Sequence, residues 1–113
     1  IIFVENNLNV ISILKSNIYK MNLTSQSTIL NVNAAKILSW NIKPSELIFS
    51  DPPYYSELSN QALNQLSKLH AIKHNALAIV ETSKKEPLPK ADNFRLIETR
   101  SIGKSNIHFL RYH

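Results

Sequence analysis

Asp51-Pro52-Pro53-Tyr54-Tyr55 is the stretch of this chain best equipped for chemistry. It follows an apolar run, Leu47-Ile48-Phe49, closed by Ser50. A proline has no N–H and holds φ near about −65°, so a sheet ladder cannot run through Pro52 and Pro53. A strand here is therefore expected to stop at Asp51, leaving stiff backbone with free carbonyls beyond its carboxyl end. In open α/β sheets that edge is where ligands sit. Asp51 Oδ and the Pro52 carbonyl can accept two hydrogen bonds from one amino group, and Tyr54 offers a ring face for stacking. A planar substrate bearing an exocyclic amine suits such a lip. The plainer reading, a strand ending in a proline turn, is what a lone Asp-Pro pair would mean.

Other candidates are weaker singly. Glu5 closes the apolar run Ile1–Val4, where an acid could bind hydroxyls or serve the dipole of the helix that follows. Asn33-Ala34 closes Thr28–Val32 in the same way. From Lys84 onward seven basic residues stand against three acids, so four of the five net positive charges lie there. A basic end favours a polyanionic partner, although a solvated face explains it as well. His70, His74, His108 and His113 form no pattern with Ser or Asp and have no metal-ligand spacing, so hydrolase chemistry is poorly supported and no metal site is expected.

The elements that must position these groups alternate. Ile1–Val4 reads as a strand buried on both faces. Asn6 is the expected N-cap of a helix running to about residue 21, with Leu8, Ile11, Leu14, Ile18 and Met21 along one stripe. Thr28–Val32 is the next strand. Ala35–Trp40 reads as a short helix packing Ile37, Leu38 and Trp40. Ser59 can cap a helix striped by Ala62, Leu63, Leu66 and Leu69. Ala76–Val80, closed by Glu81, is a further buried strand, and strand–helix–strand order implies parallel pairing through a right-handed crossover. Lys84–Lys90 holds Pro87 and Pro89 and reads as an exposed connection. Phe94–Arg100 and Asn106–Tyr112 flank the only glycine, Gly103, which suggests a hairpin with positive φ at that residue.

A chain of 113 residues makes at most one domain, and 43% hydrophobic with 19% charged residues is an ordinary globular balance. There is no cysteine, hence no disulfide and no thiolate zinc site. No apolar run approaches the ~20 residues of a membrane helix, so the chain reads as soluble and cytoplasmic, without a membrane partner.

DPPY directly after LIFS resembles the motif of class I S-adenosylmethionine-dependent methyltransferases that modify exocyclic amines of nucleic-acid bases. With FVE opening a helix, AIVETS and the closing RSIGKSNIHFL, the chain is similar to the bacterial 16S rRNA guanine-N2 methyltransferases over essentially its whole length. The resemblance implies a Rossmann-like α/β sheet, mostly parallel, ending in an antiparallel hairpin. Residues 1–113 would be a single, partial domain, beginning at the family's second strand and without its glycine-rich loop. It further implies S-adenosylmethionine as cofactor, held by Glu5, Asn33 and Ala34 with Asp51 adjacent. Asn33 stands where the family usually has an acid, so a hydrogen bond from adenine would lack charge assistance. Asp51, Pro52, Pro53 and Tyr54 would receive the target base, and Tyr55, Lys84, Lys85 and Lys104 would contact RNA of the small ribosomal subunit. Without a first strand between Ile1–Val4 and Leu47–Ser50, those two would pair directly or leave a gap that a second copy could fill. Weak cofactor affinity follows. The competing readings are a non-catalytic relative that keeps the fold and RNA affinity, and an unrelated α/β nucleotide protein.

Overall fold

The computed structural model describes residues 1–113 and contains six strands and two α-helices. β1 (Ile2–Glu5) leads into α1 (Leu8–Lys20), then β2 (Thr28–Asn31), which pairs parallel to β1 with Glu5 opposite Asn31. Asn7, not Asn6, caps α1: its Oδ1 accepts from the N–H groups of Asn9 and Val10 at 3.0 and 3.3 Å. Asn6 is instead drawn to Glu5 through its own N–H. Ile11 and Ile18 are the buried positions of the predicted stripe, whereas Leu8 and Met21 at its ends face solvent.

The expected helix over Ala35–Trp40 is a single 3-10 turn, Ala34–Lys36, capped by Asn33. Ile37 then turns extended (ψ 126°), and the chain runs irregularly to β3 (Ser45–Ser50). Ile37 is buried, but Leu38 is 91% exposed, and Trp40 is half-buried with its indole N–H directed at the Lys43 carbonyl.

β3 pairs parallel with β4 (Ile72–Ser83) through the crossover helix α2 (Leu58–Lys68). α2 starts one residue earlier than its expected cap, with no side-chain cap at Glu57, while Ser59 lies buried and bonds Ser50 across Oγ–Oγ at 2.7 Å. β4 runs well beyond the apolar Ala76–Val80. At its start, positive φ at Asn75 (65°) accompanies a register break against β3. At its end, Glu81–Ser83 are held as strand by antiparallel pairing with Ile107–Ser105 of β6 (Ser105–Tyr112). β5 (Phe94–Ile102) and β6 form the expected hairpin, with Gly103 at φ 57° in its turn. Glycine takes this left-handed conformation without the strain that a Cβ brings to most residues.

The strand order is β2–β1 in one sheet and β3–β4–β6–β5 in the other. β1 and β3 do not pair. The 3-10 turn packs on α2, where Gln65 Nε2 donates to the Ile37 carbonyl at 2.5 Å. The core is small: Leu63, Ala78, Val80, Ala91 and Leu110, with Ile48 and Phe94 against it. On the other face of β3, Leu47 and Phe49 are 61% and 66% exposed.

His108 of β6 is fully buried and spans three strands, its Nε2 2.8 Å from Thr82 Oγ1 and its Nδ1 2.9 Å from Thr99 Oγ1. Burial depresses its pKa, and the charge of Glu86 only partly opposes this. The folded state thus binds this proton less readily than the unfolded chain, and stability present above about pH 6.5 is lost as pH falls through the depressed folded pKa. The urea midpoint of the wild type relative to that of His108→Gln is expected to drop between pH 7 and pH 5, a comparison in which the raised carboxyl of Asp51 cancels. A difference flat over that window would contradict the assignment.

Candidate active site

β3 ends at Ser50, paired with Val80, and Pro52 and Pro53 prevent the ladder from continuing. Of the five residues that follow, Tyr54 and Tyr55 are fixed from outside. Tyr55 has positive φ (60°), a conformation unfavourable for a bulky residue unless something holds it. Glu86 does so: Oε1 accepts from the Tyr55 N–H at 2.7 Å, and Oε2 accepts from the Ser83 N–H at 2.5 Å. One carboxylate thereby ties the loop to the end of β4. The Tyr54 hydroxyl bonds Ser105 Oγ at 2.5 Å, anchoring its ring beside the hairpin turn. Ser56 Oγ donates to the Pro53 carbonyl, leaving that of Pro52 out of the contact.

Asp51 is exposed, yet its pKa is raised, first by partial desolvation and then by the carboxyl of Glu81 beside it. A cavity of about 160 Å³ lies under the loop, with Pro52, Pro53, Tyr55, Glu81 and Glu86 in its wall; Asp51 and Tyr54 stand outside it. The Lys84 N–H donates to the Lys104 carbonyl at 3.2 Å, which brings Lys84, Lys85 and Lys104 together next to Ser105 and hence next to Tyr54. All three lysines are exposed.

The other candidate groups sit on the two-stranded sheet. Glu5 Oε1 accepts from the N–H groups of Asn6 and Asn7 at 3.1 and 3.0 Å, so this oxygen serves the turn into α1 while Oε2 takes no part in those contacts. Asn33 Oδ1 accepts from the Ala35 N–H at 2.8 Å. Its second lone pair is what remains for a ligand. A free carboxylate oxygen suits a ribose diol, and the amide suits an adenine edge, so the donor set fits an adenosyl group. Each of these residues lies at or just past the carboxyl end of a parallel strand, as Asp51 does.

Sequence reasoning passed over Glu86, counting it among the charges of an exposed connection. A signal was available in Ser83-Lys84-Lys85-Glu86, a capping-box spacing in which Ser83 Oγ accepts from the Lys85 N–H while Glu86 reaches back to the Ser83 N–H. Truncating Glu86 to alanine leaves two N–H groups without their acceptor and is expected to cost about 1–3 kcal/mol. A lowered urea midpoint with unchanged slope is the expected readout; an unaltered midpoint would mean that water replaces the clamp.

Parallel strands bearing polar groups at their carboxyl ends, a helical crossover and a closing antiparallel hairpin define the class I methyltransferase fold. HI0767 of Haemophilus influenzae, described provisionally as a methylase, superposes with a TM-score of 0.81 at 28% identity, over 98% of this chain and 71% of that one. A conserved hypothetical protein of Streptococcus pyogenes, at 22% identity and TM-score 0.83, shares the fold over 99% of this chain and 71% of its own. The chain belongs to the family described as Conserved hypothetical protein 95, whose sequence model matches residues 1–111. Ribosomal RNA small subunit methyltransferase D of Haemophilus influenzae is 31% identical over 104 residues, 89% of this chain and 54% of that protein. The protein of the same name from Buchnera aphidicola is 29% identical over 87 residues, 77% of this chain and 46% of its own. The chain spans about half the length of these curated relatives.

Proposed function

We propose that this chain carries the base-binding part of a methyltransferase that acts on the N2 amine of a guanine in small-subunit ribosomal RNA. The observation that supports this most is the Asp51-Pro52 lip at the carboxyl end of β3, with Tyr54 anchored beside three exposed lysines. Asp51 Oδ and the Pro52 carbonyl accept the two N–H bonds of the amine and aim its nitrogen. Tyr54 covers the base face, Pro53 keeps the backbone stiff, and Tyr55 with Lys84, Lys85 and Lys104 meets the RNA. A paired base must first leave its stack. Glu5 would hold the ribose hydroxyls of S-adenosylmethionine, and Asn33 with Ala34 its adenine. When bound, that cofactor would supply an already activated methyl group, so the protein's share is alignment, followed by removal of one amine proton, which Asp51 would accept.

A second reading, a relative that binds RNA without chemistry, is favoured by the use of Glu5 Oε1 and Asn33 Oδ1 as local caps. One experiment separates them. The protein, at the length its cell makes, is incubated with labelled S-adenosylmethionine and small ribosomal subunits lacking N2-methylguanosine. Appearance of that nucleoside supports the first reading; retention of the RNA without label supports the second.

A further inference from the structure

The pairing of β3 with β4 sets a second carboxylate beside the first. Ser50 lies opposite Val80, so Asp51 and Glu81 are the next residues along and stand side by side, Asp51 just past the end of β3 and Glu81 still within β4. Side chains alternate along a strand. Val80 packs into the core with Leu63, and Ser50 bonds Ser59, so both point at α2. Glu81 therefore points to the opposite face, and the Asp51 carboxyl lies within hydrogen-bond reach of it. The contacts that brace the loop go to Glu86, which leaves Glu81 out of that work.

We propose that Glu81 determines which base the site accepts: it takes the N1–H of guanine while Asp51 takes an N2–H. This rests on the function proposed above and adds a reader for the base. Guanine presents two adjacent donors on this edge, N1–H beside the N2 amine. Adenine presents its amine beside a bare N1, and cytosine its amine beside a bare N3. Two neighbouring carboxylates match donor–donor and no other arrangement, because a bare ring nitrogen facing Glu81 leaves two acceptors opposed. A site built to receive an N–H rejects a base lacking it far more strongly than a change of size would explain.

2-Aminopurine tests this, since it keeps the N2 amine but has no hydrogen on N1. Small subunits are reconstituted with rRNA carrying either guanosine or 2-aminopurine riboside at the methylated position, and single-turnover rates are compared. The wild-type protein is expected to favour guanosine by at least about 100-fold. Glu81→Gln, whose amide can also donate to a bare N1, is expected to bring that ratio below about 10 by gaining rate on 2-aminopurine. Glu81→Ala is expected to lose rate on guanosine without that gain. Equal rates on the two bases for the wild type, or an unchanged ratio in Glu81→Gln, would overturn the assignment and leave the proposed methylation standing. If guanosine itself is not methylated, both fall.

Discussion

Replacing Asp51 with alanine is expected to lower the rate of methyl transfer by about 10²–10³-fold while leaving the fold at neutral pH no less stable. The first half follows from the proposed role: without its carboxylate the lip retains one acceptor, the Pro52 carbonyl, and the amine is no longer aimed. The second half follows from electrostatics. Partial burial and the neighbouring Glu81 raise the pKa of Asp51 in the folded state. Folded protein thus binds this proton more readily than the unfolded chain, so stability falls as pH rises from the ordinary carboxylate value through the raised one. Removing the carboxylate removes that loss. The melting temperature of Asp51→Ala relative to wild type is therefore expected to rise between pH 4 and pH 7. Single-turnover rates and thermal melts at the two pH values check both halves. A variant within about threefold of the wild-type rate would end the assignment of Asp51 to the reaction, as it would supply under about 1 kcal/mol of barrier lowering.

Leu63→Ala is the change expected to cost most stability. Leu63 is 1% exposed and joins α2 to Ala78, Val80 and Leu110 in a core of five buried residues. Emptying such a site costs about 2–5 kcal/mol, against the ~5–15 kcal/mol that holds a whole domain. The damage would not stay local. Ser59, which fixes the end of β3 through Ser50, and Gln65, which holds Ile37, are both on α2. A urea midpoint shifted by the expected free energy at constant slope checks the cavity argument. Leu63→Met keeps the volume and is expected to cost less than about 1.5 kcal/mol. If alanine and methionine behave alike, Leu63 is not the keystone of the helix.

What could be read from the sequence was what local chemistry decides. Two consecutive prolines stop a strand wherever they fall, so the end of β3 at Ser50 was legible. So was the hairpin turn, since the single glycine takes the left-handed conformation. Features that depend on distant partners were not. Glu81, Thr82 and Ser83 look like the start of a loop and become strand because β6 pairs with them. Ser59 has the composition of a helix cap but is recruited by Ser50 nine residues back. Ala35–Trp40 has helical spacing, yet after the turn capped by Asn33 the backbone extends at Ile37, whose burial against α2 fixes its direction. His108 reads as an isolated polar residue in an apolar strand because its two threonines lie on other strands.

Glu5 and Asp51 stand on sheets that share no strand, and the chief joint between those sheets is the seat of Ile37 on α2. Within residues 1–113 the seat of Ile37 is therefore what sets Glu5 and Asp51 at a fixed reach from each other. A substitution at Ile37 or Gln65 is expected to shift the two acids relative to each other while touching neither, as a loosened rivet lets the blades of a pair of scissors drift apart.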